Sequence, residues 1–171
     1  ITISTIGDAL DFGDLSAAAH GSSVMSNSVR AVIYLGGTNS NSATTDTIEY
    51  VTIATTGNGQ DFGQLSNIHG GAGASNSIRG IFAGGYFPQP SITDNMDFST
   101  IATLGNSTAF GDLSAGRRGL GGVASLTRAC FGGGSTPTDV NTIDYIEIAT
   151  GGNAVDFGDL GQSNSGKKKN V

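Results

Sequence analysis

The 171-residue chain has 28 glycines, one cysteine, no tryptophan and a net charge of −6, and 37% of its residues are hydrophobic. Frequent apolar residues and sparse charge exclude a disordered chain, and the acidic balance argues against a general nucleic-acid binder. No apolar run reaches the ~20 residues of a membrane-spanning helix. We therefore expect a folded protein with no nucleic-acid partner and no membrane span.

A repeat of nearly fifty residues dominates the sequence. Phenylalanines of an Asp-Phe-Gly-like segment are 50, 48 and 47 positions apart, arginines recur every 49 and glycine pairs every 48. Several markers in one order at one period indicate a repeat protein, with one structural unit per repeat. The repeated positions are Phe12, Phe62, Phe110 and Phe157; Arg30, Arg79 and Arg128; and Gly36, Gly37, Gly84, Gly85, Gly132 and Gly133.

Each repeat predicts four short β-strands in chain order. In the last repeat they are residues 119–125, then 129–133 ending at the glycine pair, then 143–148, then 154–160 with Asp-Phe-Gly. The second and third strands are rich in β-branched and aromatic residues, and a glycine-asparagine turn separates the third from the fourth. No stretch shows a helical period. The sequence therefore predicts an all-β fold.

The third strand of the first repeat breaks the simple alternation. Its apolar residues shift phase, from Ile48 and Tyr50 to Val51 and Ile53. A half-exposed strand alternates cleanly, so this strand is predicted to be buried on both faces or bulged. Small sheets packed face to face provide that environment.

With these strands, glycine pairs and aromatic anchors, the sequence resembles the kelch-repeat β-propellers. The resemblance implies four-stranded antiparallel blades, with phenylalanine in place of the family's usual fourth-strand tryptophan. About three and a half blades are expected: the outer half of one blade in residues 1–16, blades in residues 17–66, 67–114 and 115–161, and a flexible basic tail in residues 162–171. The Gly/Ser/Thr/Asn-rich style is similar to kelch-like repeats of bacteriophage tail-fibre and virion proteins, which implies a virion or extracellular location.

A propeller of this kind needs at least about four blades to close a ring. The resemblance therefore implies further blades, from a longer chain or from other copies. The mid-blade start and the missing initiator methionine favour a longer chain. Open blade edges would make an isolated piece prone to association.

The loops after the glycine pairs are the most divergent parts of the repeat. They span residues 38–46, 86–95 and 135–141, and the fold would bring them to one face. Loops on a rigid scaffold commonly carry binding sites, and an aromatic projection can stack on a sugar or fill a partner's pocket. The alternative is loop drift, with Tyr86 packed on its own blade. The predicted binding residues are Asn39, Asn41, Tyr86, Phe87, Asp94, Thr136 and Asp139.

The repeated arginines allow two interpretations. They recur together with Glu49, Asp97 and Asp144, and guanidinium groups bridge carboxylates and strand-end carbonyls. One interpretation is therefore a contact that holds neighbouring blades together. The other is a ring of arginines offered to an anionic ligand.

No catalytic site, metal or cofactor is expected. Asp-Phe-Gly occurs in kinases, but its recurrence once per repeat indicates a structural role. Two histidines, His20 and His69, are too few for a metal site, and Cys130 is flanked by apolar strand residues. Oxidases that contain kelch repeats need copper ligands and a Cys–Tyr pairing, for which this chain offers little.

The predicted function is therefore a non-enzymatic structural or adhesion module. Its loops would be presented to a protein partner or a cell-surface glycan. The alternative is a self-assembling structural protein whose open blade edges join copies into rings or fibres.

Overall fold

A computed structural model describes residues 7–38, 43–65, 71–86 and 90–162. Within these ranges the chain forms fifteen β-strands and no helix. In chain order they are β1 (Ala19–His20), β2 (Ser23–Ser26), β3 (Arg30–Tyr34), β4 (Gly37–Thr38), β5 (Ala43–Thr44), β6 (Thr47–Thr52), β7 (Gln60–Gln64), β8 (Ala72–Ser75), β9 (Arg79–Tyr86), β10 (Ile92–Thr100), β11 (Thr108–Asp112), β12 (Gly121–Ala124), β13 (Arg128–Gly132), β14 (Thr142–Glu147) and β15 (Val155–Asp159).

Most of these strands belong to three antiparallel sheets of four strands each. The first sheet has the order β2-β3-β6-β7, the second β8-β9-β10-β11 and the third β12-β13-β14-β15. In each of these sheets, the strands lie side by side in the order in which they occur along the chain. Each sheet is therefore a simple up-and-down meander. β1, β4 and β5 form a separate three-stranded sheet. The predicted all-β fold of four-stranded antiparallel, blade-like sheets is confirmed.

The Asp-Phe-Gly segments form a bulge in each sheet. In the first sheet Ile48 pairs with Gly63 and the next residue, Glu49, pairs with Asp61, so Phe62 is the extra residue. The other two sheets shift register at the equivalent point. Gly63 has a φ of +148°, which a glycine adopts without strain. Ile48 and Glu49 are buried on opposite faces, as predicted for the third strand, but the extra residue lies in neighbouring β7 and Ile53 is 45% exposed.

The sheets pack face to face, and the second sheet lies between the other two. Their innermost strands come so close that a Cβ on Gly73 would lie 2.6 Å from the carbonyl oxygen of Val24. A Cβ on Gly122 would lie 2.5 Å from the carbonyl oxygen of Gly73. Glycine is therefore required at these two positions, where backbone meets backbone. The equivalent position in the first sheet is Val24, whose side chain is 53% exposed.

The two interfaces between sheets fill the same space with different pairs of residues. The Met25 sulfur of the first sheet lies where a Cβ on Gly80 would be, at 1.6 Å from that point. At the next interface the equivalent positions are Ala74 and Ala129, both buried. Close packing of this kind makes the interior sensitive to a change of even one methyl group.

Tyr34 lies in the core between the first two sheets. Its ring packs edge-on against Phe82, with centroids 5.9 Å apart. Its hydroxyl donates a hydrogen bond to the Thr45 carbonyl at 2.8 Å. Burial, reinforced by nearby Asp46, raises the pKa of Tyr34 well above its usual range.

This raised pKa predicts a loss of stability in alkali. The folded state keeps the neutral phenol, whereas the unfolded chain loses that proton above about pH 10. The contribution is therefore complete below about pH 10, and the free energy of unfolding decreases above it by up to about 1.4 kcal/mol per pH unit. Urea unfolding from about pH 9 to about pH 11 measures this slope, which Tyr34→Phe is expected to reduce. An identical slope in Tyr34→Phe would contradict the assignment.

Candidate functional site

The predicted loop residues are divided between described and undescribed parts of the chain. Tyr86, Asp94, Thr136 and Asp139 lie in the described ranges, whereas Asn39, Asn41 and Phe87 lie outside them, as do His69 and most of the basic tail. We call the four described residues the loop edge. Tyr86 is the last residue of β9 and Asp94 lies near the start of β10, so both belong to strands where the sequence predicted a loop, whereas Thr136 and Asp139 follow β13.

Tyr86 is anchored by an arginine of the following repeat. It is the last residue of β9, where it pairs with Ile92, and it is half-buried. The Arg118 guanidinium carbon lies 5.3 Å from the centre of its ring, within the range of a cation–π contact. Tyr86 is therefore held against the next repeat and does not project freely.

Arg118 also holds the loop of the third sheet. Its backbone exchanges two hydrogen bonds with Ser135, at 2.9 and 3.2 Å. Within the loop the Thr136 amide donates to the Thr138 carbonyl, and the Ser135 hydroxyl donates to the Pro137 carbonyl. These bonds fix the loop and connect it through Arg118 to Tyr86.

The polar members of the loop edge remain accessible. The side chains of Asp94 and Asp139 are exposed, and Thr136 is half-buried. Asp94 is also fixed through its backbone, because its carbonyl accepts a hydrogen bond from the Leu113 amide at 2.8 Å. The loop edge therefore offers two carboxylates and a hydroxyl on a rigid backbone.

The repeated arginines join neighbouring sheets through carbonyl groups. Arg30 donates from Nη1 to the carbonyls of Ile101 and Ala102, at 3.3 and 2.9 Å. Arg79 donates in the same way to Ile148 and Ala149, at 3.0 Å each. Each guanidinium also lies 4.8 Å from an aromatic ring of its own sheet, Tyr50 for Arg30 and Phe98 for Arg79.

The carboxylates expected beside these arginines have other partners. Glu49 accepts hydrogen bonds from the Ser16 amide, and Asp97 accepts one from the Ser107 hydroxyl. In the described residues the ion pairs are Arg117–Asp144 and Arg128–Glu147, so Arg30 and Arg79 do not bridge carboxylates. The guanidinium groups of Arg30 and Arg79 therefore bind carbonyl groups of the next sheet. Glu49 and Asp97 accept hydrogen bonds from an amide and a hydroxyl.

Arg128 differs from its two equivalents. It lies 4.8 Å from the ring of Tyr145, as the pattern requires, but it pairs with Glu147 of its own sheet. Both charged side chains are exposed, at 53% and 44%. Arg30 and Arg79 each join one sheet to the next, whereas the guanidinium of Arg128 lies at a solvent-exposed face.

A buried ion pair in the third repeat was missed by the sequence analysis. Nη2 of Arg117 lies 2.7 Å from Oδ2 of Asp144, and the two side chains are only 1% and 0% exposed. Arg117 also donates to the Thr142 carbonyl, and the Ser114 hydroxyl donates to Asp144. Burial lowers the pKa of Arg117, against the attraction of Asp144. The available signal was the Arg117-Arg118 pair, which has no counterpart in the other repeats.

The remaining candidates have structural surroundings. The His20 ring lies against Gly37, and Cys130 is half-buried between the buried Ala129 and Phe131. In the described ranges no three or more His, Cys, Asp or Glu side chains are grouped to hold a metal ion. Nor does that part of the chain contain a helix that could cross a membrane.

Three surface clefts lined by described residues are small. Their volumes are about 80, 140 and 230 Å³, below the roughly 300 Å³ at which small-molecule pockets begin. Their linings include the Tyr50–Asn58 and Tyr145–Asn153 regions. Searches against protein-family models and against curated proteins found no match to this chain.

Proposed function

We propose that the chain is a non-enzymatic structural and adhesion module whose stacked sheets present the loop edge to a protein or a surface glycan. The observation that carries the proposal is the Arg118 contact, which joins Tyr86 to the loop at Ser135. A recognition surface that is already ordered loses little conformational entropy when it binds. The arginine bridges between sheets keep the scaffold beneath it rigid.

The chemistry of the loop edge suits a polar ligand. Asp94 and Asp139 are exposed acceptors, and Thr136 adds a hydroxyl. Sugar hydroxyls are donors that carboxylates and hydroxyls bind well, and the Tyr86–Arg118 pair adds a flat surface at the same edge. The compositional resemblance to kelch-like phage fibre repeats supports placing such a module on a virion or outside the cell.

Binding to a glycan array tests this function. Thr136→Ala combined with Asp139→Ala is expected to weaken binding of the best-bound glycan by about tenfold or more, the usual effect of losing anchoring contacts. Both changes lie on a surface loop, so the thermal midpoint should hardly move. The control is Asp159→Ala, an exposed carboxylate in the outer strand β15. Equal binding by wild type and the loop variant, or a loss in the control alone, would contradict the loop edge as the site.

The second candidate function is assembly, in which an exposed face of the third sheet docks a sheet supplied by a partner protein. A specific observation favours it: Phe157 is 60% exposed, whereas its equivalents Phe62 and Phe110 are 2% and 7% exposed. An apolar side chain that is buried in two repeats and uncovered in the third indicates a surface made for contact.

A further inference from the structure

The third sheet has an uncovered face that corresponds to a covered face in the other two. Val123 and Phe157, which we call the open face, are 69% and 60% exposed. The positions equivalent to Val123 are Met25 and Ala74, which are only 2% and 5% exposed. The difference arises because the next sheet packs on those residues.

The covered faces also share a set of backbone hydrogen bonds. In the first sheet the carbonyls of Phe62 and Gln64 accept from the amides of Gly105 and Ser107, each at 2.8 Å. The Gln64 amide donates to the Asn106 side chain at 3.0 Å. The second sheet repeats all three bonds, at 2.8, 2.8 and 3.1 Å, to Gly152, Ala154 and Asn153. The fourth strands β7 and β11 are thus each bound by the glycine-asparagine turn of the following sheet.

A glycine contact completes the pattern of the interface. Cβ atoms built on Gly63 and Gly111 would lie 2.4 and 2.3 Å from carbonyl oxygens of that turn. Gly158 is equivalent and keeps a φ of +137°, yet no described residue lies within 4 Å of its Cβ position. The third sheet therefore keeps the backbone conformation that binds a glycine-asparagine turn in the other two sheets, but no described turn lies against it.

We infer that the open face binds a further four-stranded sheet of the same repeat, in continuation of the two interfaces within the chain. The incoming sheet must have a glycine-asparagine turn that binds β15. It must also have glycine at the position equivalent to Gly73. It also needs a small residue at the position of Gly80, because Val123 must be received there as Met25 is received by Gly80. The inference does not depend on what the loop edge binds.

A second copy of this chain does not meet that description. Its first sheet carries Val24 where the second and third sheets carry Gly73 and Gly122, and at the repeat spacing a carbonyl would lie about 2.5 Å from that Cβ, as Gly122 shows. Its binding turn is also occupied. The amides of Gly57 and Gly59 already donate to Phe12 and Asp14 of the same chain, and Asn58 accepts from the Asp14 amide.

The test adds one repeat to the intact chain. A second copy of residues 67–114 is joined after Gly161, because this repeat carries both Gly73 and Gly80. Hydrogen exchange of the β15 amides is expected to slow by about tenfold or more, since covered strands open less often. The matched control carries Gly73→Val in the added copy, and its β15 exchange should stay as fast as in the 171-residue chain.

A second measurement covers the case in which the control repeat fails to fold. Phe157→Ala should lower the urea midpoint of the extended chain markedly and that of the original chain very little. Unchanged β15 exchange in the extended chain, with no greater effect of Phe157→Ala, would overturn the docking surface. Equal slowing with Gly73→Val would overturn the glycine requirement. Self-association of the original chain that slows β15 exchange would overturn the exclusion of a second copy.

Discussion

Replacing Asp144 by alanine is expected to destabilise the protein by about 3–5 kcal/mol, the cost of leaving one charge of a buried pair without its partner. Arg117 would stay in a site where its side chain is 1% exposed, with the Thr142 carbonyl as its remaining acceptor. The Ser114 hydroxyl would lose its acceptor as well. Urea unfolding followed by circular dichroism measures the change in midpoint.

The same sheet supplies a matched control. Arg128 and Glu147 also form an ion pair, but both are exposed, so Glu147→Ala should cost less than about 1 kcal/mol. Replacing both buried partners, with Arg117→Met and Asp144→Leu, should recover most of the stability, because no charge is then left buried. Similar losses for Asp144→Ala and Glu147→Ala would show that burial does not decide the strength of these pairs.

Phe62→Ala and Phe110→Ala are each expected to cost about 3–5 kcal/mol, the usual range for removing a buried phenylalanine. Both rings are almost fully buried. Each also packs edge-on against an aromatic ring of its own sheet, Tyr50 at 6.2 Å and Phe98 at 6.1 Å between centroids. Removing either ring leaves a cavity between two sheets.

Phe157→Ala provides the comparison at the equivalent position of the third repeat. Phe157 makes the equivalent ring contact with Tyr145 at 5.9 Å, but it is 60% exposed. Its removal should therefore cost less than about 1 kcal/mol in the 171-residue chain. Thermal or urea unfolding of the three variants decides the point. Three equal losses would mean that the ring pair within each sheet, and not the following sheet, carries the energy.

The repeat period predicted most of the fold because the same local rules act three times. The four strands of each sheet follow from positions that recur, whereas the bulge was expected in the third strand and lies in the fourth. The period also indicated that Arg30 and Arg79 act between units. Their choice of carbonyl over carboxylate was not predictable, because it depends on how far the guanidinium extends when it lies on an aromatic ring.

The least predictable features are those that occur only once. Arg117 stands where the other repeats have Ala19 and Ile68, so the period gave no signal for its pairing with Asp144. The anchoring of Tyr86 by Arg118 belongs to the same class, since Arg118 stands where the other repeats have His20 and His69. In this protein the residues shared by all repeats form the sheets, and residues found in one repeat only, such as Arg117, make that repeat different from the others.

The pairing of Met25 with Gly80 limits how such a gene can change. If the first repeat were followed directly by the third, Met25 would meet the methyl of Ala129 where it now meets no side chain. If the second repeat were duplicated in place, Ala74 would face Gly80 in place of Ala129 and leave a void the size of one methyl group. Unequal crossing-over that deletes or duplicates one repeat would therefore disturb the packing between sheets. We expect selection to keep the three repeats in their present order.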